Sequence, residues 1–131
     1  MYKRILVIAA ILAALSVALG AIGSHTLENL LSDKMQKTFE TAARYQMYHS
    51  IALIICGVLL FIKPNNYLQW AAKLFITGIF LFSGSLYLLV FFYLQKTSSF
   101  NFFGVITPFG GLCFIAAWIC LAIGANKMEH R

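Results

Sequence analysis

The chain has 131 residues, of which 61% are hydrophobic and only 11% charged, with a formal net charge of +6. Its length bounds it to one domain, residues 1–131, and a mean hydropathy of +0.83 excludes an ordinary soluble fold. The positive charge is not a nucleic-acid footprint: its Lys and Arg residues are scattered over loops and ends without a basic face, so no nucleic-acid partner is expected.

Four apolar stretches approach or reach the roughly 20 residues that a bilayer crossing requires, over residues 5–23, 42–62, 74–94 and 104–124. They predict an all-α polytopic membrane protein, four transmembrane helices in a bundle, with the lipid bilayer as its first partner. The first stretch follows "MYKR" and ends around "ALGA", which is also the look of a secretory signal. Its apolar run is longer than a signal core, so an uncleaved first helix is expected. Along it, Ala9, Ala13, Ser16, Gly20 and Gly23 recur three or four apart, a stripe that lets another helix approach closely in lipid. In the connection that follows, Leu27, Leu30, Leu31, Met35 and Phe39 alternate with polar residues at helical spacing. An interfacial helical segment is expected there, with Asp33 and Gln36 resembling a capping arrangement that starts the second helix early.

The second span poses a problem. Residues 51–62 are apolar but too few to cross alone, so the helix must recruit residues 42–50 and draw Arg44 and His49 into or near the membrane. Glu40, Arg44 and Tyr48 fall on one arc of it, with Glu40 and Arg44 in the favourable order for a helical ion pair. Thr41, Tyr45 and His49 fall on a neighbouring arc. The remaining connections, "KPNNYLQW" and "QKTSSFN", carry ordinary turn chemistry. Cys56, Cys113 and Cys120 all lie inside spans without a CxxC pairing, so no disulfide framework is expected. Cys113 and Cys120 share a face with Ala116, Ala117 and Gly124, a second small-residue stripe. Stripes on both the first and fourth helices point to a homo-oligomer.

Four spans put the N-terminus, the second connection and the C-terminus on one side, with Lys3, Arg4, Lys63, Lys73, Lys127 and Arg131. The opposite side carries Lys34, Lys37, Arg44 and Lys96, partnered by Glu28, Asp33 and Glu40. The positive-inside rule then makes both termini cytoplasmic. Tyr67 and Trp70 suit an inner aromatic belt, Tyr45 and Tyr93 an outer one. His49 lies about seven residues inside the outer boundary, roughly 10 Å deep at 1.5 Å per residue. Tyr87 reaches the same depth on the third helix, with Ser85 and Ser83 slightly deeper, while His25 sits at the rim. Nearly every buried polar group is thus in the outer half, and the inner half is almost pure hydrocarbon. One subunit encodes no continuous polar path across the membrane.

At "GAIGSHTL", "FETAARYQMYHSIALI", "LFSGSLYLL" and "ITPFGGLCFIAAW" the chain resembles the small bacterial membrane proteins grouped as domain of unknown function 423. The resemblance covers all four helices in order. It maps the family's histidines to His25 and His49, its Tyr-Gln to Tyr45 and Gln46, and its Ser-Gly-Ser-Leu-Tyr to residues 83–87. Gly23, Ser24, His25 and Thr26 stand where that family reads Gly-Ala-His-Gly. The resemblance implies a four-helix membrane protein and brings no activity with it.

Three kinds of function are compatible with these residues. The favoured one is a non-enzymatic bundle whose outward-facing polar pocket binds a small ligand, a lipid or a partner segment. Its ligand-binding candidates are His25, Glu40, Arg44, Tyr45, His49, Ser83, Ser85 and Tyr87. A subunit of an oligomeric channel or transporter would need other subunits to complete a path. A membrane enzyme or haem protein is served worst: His25 and His49 sit at different depths, a poor match to one macrocycle, and no HExxH metal motif occurs. No catalytic residue, metal site or cofactor is therefore assigned. His49, Tyr87 and Ser85 are expected to meet across the second and third helices.

Overall fold

The structure, a computed structural model, describes residues 2–96 and 100–129. Four helices carry it: α1 (Tyr2–His25), α2 (Asp33–Ile62), α3 (Asn66–Leu94) and α4 (Phe100–Asn126). Each is long and apolar enough to cross a membrane, and each contains the span expected of it. Residues 97–99 of the turn at "QKTSSFN" and the charge of Arg131 fall outside the described residues.

α2 resolves the short-span problem by running unbroken through residues 40–50 into the apolar segment. It starts one residue before the expected cap: Ser32 is the N-cap, its hydroxyl accepting the Met35 amide at 3.2 Å. Asp33 instead occupies the first turn, where its carboxylate complements the positive end of the helix dipole. The interfacial segment expected before it takes the form of turns over residues 26–31, followed by the early turns of α2. Met35 and Phe39 there pack with Val90 into a small outer core.

α2 is the central helix. Of the apolar window in each span, 44% is buried for α2, against 11% for α1 and 17% for α4. α1 lies along α2, to which it presents Ala9, Leu12, Ser16 and Gly23. A Cβ on Gly23 would stand 2.5 Å from the Phe39 ring, so a larger residue there would force that ring to shift. α4 packs on α3, with Gly124 against Leu68 and the Phe114 ring against Gly78. The deepest members of each stripe thus pack on a neighbour within the chain, Ala9, Ser16 and Gly23 on α2 and Ala117 and Gly124 on α3.

α3 is not a uniform α-helix: residues Ile79–Gly84 form a π-helical turn. The extra residue in that turn brings the backbone of Leu81 and Phe82 against Gly110 of α4, where a Cβ would overlap the Phe82 nitrogen. The main core, from Leu53 and Leu60 through Leu68 and Phe75 to Phe114 and Leu121, fills the other half of the bundle with hydrocarbon. The start of α1 and the end of α4 both pack there. Tyr2 packs edge-on to Phe61 at 6.2 Å, Asn65 donates to the Gly124 carbonyl at 3.1 Å, and Lys63 donates to the Met128 carbonyl at 3.1 Å.

Backbone contact at Gly110 leaves no flexible side chain to yield. Gly110→Ala is expected to destabilise the fold by about 1–3 kcal/mol. Gly111→Ala, whose Cβ meets nothing within 4 Å, should leave the unfolding temperature in detergent unchanged. Equal unfolding temperatures for the two variants would contradict this packing.

Candidate functional site

A polar side chain in hydrocarbon must find its hydrogen-bond partner inside the protein. Ser16 of α1 donates to the Ala43 carbonyl at 2.6 Å, and Ser83 of α3 donates to the Ala42 carbonyl at 2.7 Å. Two successive carbonyls of α2 are thereby bonded from opposite neighbours. One turn deeper, the Gln46 amide nitrogen donates to the Leu12 carbonyl of α1 at 2.8 Å. Its oxygen accepts the Tyr87 hydroxyl of α3, also at 2.8 Å. A single side chain, 4% exposed, joins three helices. Gln46 is not among the eight site candidates, although the sequence carries a signal for it: it is the one amide side chain in any of the four expected spans.

His49 faces elsewhere. Its ring stacks on Phe114 at 3.5 Å and 5°, with Phe75 at 5.8 Å and Trp118 at 6.0 Å. Nδ1 lies 2.7 Å from the Tyr45 carbonyl. A carbonyl only accepts, so Nδ1 carries the proton, and in the neutral ring Nε2 is left as an acceptor. Among the described residues nothing bonds to Nε2, and the only sealed side-chain polar atom without a partner is Gln36 Oε1. Although the residue is 95% buried (5% exposed), Nε2 is thus not sealed off.

His49 lines a groove of about 750 Å³ between α2 and α4. The groove exists because these two helices scarcely touch, each packing on α3 instead. Tyr45, stacked on Phe82 at 4.7 Å, lines it beside Phe114, and Gly111 leaves space at one side. Its outer walls are Tyr48, Ile51, Ile115 and Trp118, all strongly exposed. In a bilayer, exposure at this level means contact with acyl chains, so the groove opens sideways into lipid. Its volume falls within the range of small-molecule sites, and its lining is aromatic, as such sites commonly are.

The eight candidates do not converge. Among the described residues no hydrogen bond or ring contact joins His49 to Tyr87 or Ser85. Tyr87 is committed to Gln46 and packs against Phe39 at 5.3 Å. Ser83 is committed to α2, while Ser85 shares a 2.6 Å hydrogen bond with Thr107 of α4 and donates to the Phe82 carbonyl. The physical reason is chemical: hydroxyls inside a bundle bond the nearest carbonyl or hydroxyl of a packed neighbour. Glu40 accepts from Gln36 at 3.5 Å and makes no ion pair with Arg44 among the described residues. Both are exposed, as is His25 at the end of α1. Only Tyr45 and His49 line the aromatic groove. Outside it a hollow of about 390 Å³ is lined by Lys34, Lys37, Thr38 and Thr41, with Phe82 common to both. This rim is polar, but its residues are not the predicted ones. No three His, Cys, Asp or Glu side chains come together among the described residues.

A family model described as "Protein of unknown function (DUF423)" matches residues 19–111. The chain is 42% identical over 125 residues to a UPF0382 membrane protein of Staphylococcus haemolyticus, covering 95% of this chain and 97% of that protein. It is 36% identical over 126 residues to the UPF0382 membrane protein YwdK of Bacillus subtilis, covering 95% and 98%. A UPF0382 membrane protein of Haemophilus influenzae is 35% identical over 129 residues, covering 98% of each. No solved structure matches the chain.

The bond between Gln46 and Tyr87 can be isolated by a double-mutant cycle of Gln46→Leu and Tyr87→Phe. Interhelical hydrogen bonds in lipid contribute about 0.6 kcal/mol and at most about 1.7 kcal/mol, and a coupling in that range is expected from unfolding in detergent. Additive losses would mean that the two side chains act separately. Gln46→Leu alone should cost more than Tyr87→Phe alone, because it also orphans the bond to Leu12.

Proposed function

The chain belongs to the DUF423 family of membrane proteins, and from that premise we propose that it is a non-enzymatic binding protein for an amphipathic lipid-like molecule. The ligand enters the groove between α2 and α4 from the bilayer. Its apolar body lies against Tyr45, Phe114 and Trp118. A hydroxyl or N–H on it donates to His49 Nε2. The observation that carries this reading is the histidine acceptor with no protein partner in an aromatic groove. A structural histidine between helices would be expected to have both ring nitrogens bonded within the protein or its water.

The remaining polar groups support a binding role of this kind. They are spent on holding α1, α2 and α3 together, which keeps the α2 wall of the groove rigid. Arg44, without a protein partner among the described residues, is placed to meet lipid headgroups at the rim. We also infer that both termini face the cytoplasm, since the end that holds them carries the larger share of Lys and Arg.

Two measurements test these statements. In a Trp70→Phe background, Trp118 emission reports on the groove during titration with a long-chain isoprenoid alcohol and with its methyl ether. The alcohol should bind about threefold to tenfold more tightly, the worth of one net hydrogen bond. His49→Phe, which retains a ring on Phe114 but has no acceptor, should bind the two alike. Equal affinities in the unsubstituted groove would refute the role of Nε2. For orientation, cysteines placed at positions 2 and 129 should react with an impermeant maleimide only after cells are opened; reaction in intact cells reverses the topology.

A further inference from the structure

A second site lies at the opposite end of the bundle from the polar layer. α1 runs along α2 and makes no extensive contact with α3, so a cleft of about 180 Å³ remains between the first turns of α1 and α3. Its mouth is polar, formed by Tyr2, Gln69 and Lys73, and its floor is Ile5, Ala72 and Ile76. The same order repeats on both helices: the polar residue lies nearer the helix start and the apolar residue one turn deeper. Among the described residues neither the Gln69 amide nor the Lys73 ammonium has a hydrogen-bond or ion-pair partner. Lys73 is held over the Trp70 ring at 5.0 Å, and Lys127 over Tyr67 at 4.7 Å. Those aromatic rings mark the headgroup level, where Trp and Tyr concentrate.

Charge identifies the occupant. Among the described residues this end carries Lys3, Arg4, Lys63, Lys73 and Lys127 against the single acid Glu129. Lys3 and Arg4 lie on the same turn of α1 but on its opposite, exposed face, over a separate hollow of about 500 Å³ that continues down Val7 and Ile8. A soluble anion would leave the isoleucine floor bare, and a neutral lipid would leave the cations unmatched. We propose that the cleft between α1 and α3 binds an anionic phospholipid, its phosphate at Lys73 and Gln69 and one acyl chain along Ile5 and Ile76. This site is separate from the α2–α4 groove and stands or falls independently of it.

The test is native mass spectrometry of the whole protein released from micelles containing equimolar phosphatidylglycerol and phosphatidylcholine. One phosphatidylglycerol should be retained in clear preference to phosphatidylcholine. Lys73→Gln should lower that preference about fivefold, the effect of one basic residue at an anionic lipid surface, while Lys73→Arg should keep it. Lys73 is exposed, so the variants should fold, and an unchanged unfolding temperature verifies this. Lys34→Gln, at the other end of the bundle, should have no effect. Equal retention of the two lipids, or an unaltered preference in Lys73→Gln, overturns the proposal. A loss in Lys34→Gln as large as in Lys73→Gln also overturns it, because the preference would then come from diffuse charge.

Discussion

A buried amide must satisfy both its donor and its acceptor where no water can help. Gln46 does so by reaching in two directions, to the Leu12 backbone of α1 and the Tyr87 hydroxyl of α3. In lipid the helices gain nothing from the hydrophobic effect by associating, so packing and hydrogen bonds must set their arrangement. Here the bonds from Ser16 and Ser83 to adjacent α2 carbonyls set rotation and height. Gln46 then ties the same three helices one turn deeper. The polar layer separates the small outer core at Met35, Phe39 and Val90 from the large hydrocarbon core beyond it.

The fourth helix is attached by a different principle. Glycines allow backbone to meet backbone or ring: Gly110 against the π turn, Gly78 beneath Phe114, Gly124 against Leu68. The hydroxyl pair of Ser85 and Thr107 adds one polar tie between α3 and α4. Because α4 is held by α3 and α1 by α2, the bundle is an extended row more than a closed square. Two seams stay open as a result. One lies between α2 and α4 and holds His49; the other lies between α1 and α3 and is rimmed by Lys73. Their linings differ in charge, as befits one at mid-depth and one at headgroup level.

His49 is informative because its surroundings are so apolar. The rings of Phe114, Phe75 and Trp118 surround it, Phe114 stacked face to face, and the backbone of its own helix accepts from Nδ1. This fixes the tautomer, a second-neighbour effect common wherever a histidine presents one nitrogen to a ligand. The neighbouring hydroxyls that depth placed beside it are engaged with other helices. Of the eight polar candidates, Tyr45 and His49 alone line the groove, among rings.

Much of this molecule was determined along the chain itself. Unbroken apolar length set four helices, and the shortness of residues 51–62 required α2 to continue through Arg44 and His49, because a half-length helix cannot satisfy its backbone in lipid. Depth alone divided the bundle into a polar half and an apolar half. Which polar groups pair was not legible, since hydrogen-bond partners belong to different helices and depend on their rotation. Gln46 looked like one polar residue among several until two neighbours converged on it. The π turn was equally hidden: nothing in "GIFLFSGS" states that an extra residue will fit one turn until Gly110 provides the space. The seams likewise follow from which helix faces which, a choice that small-residue stripes leave open because a stripe fits any close neighbour equally well. Tertiary contact decided that choice, and with it which two seams stay open.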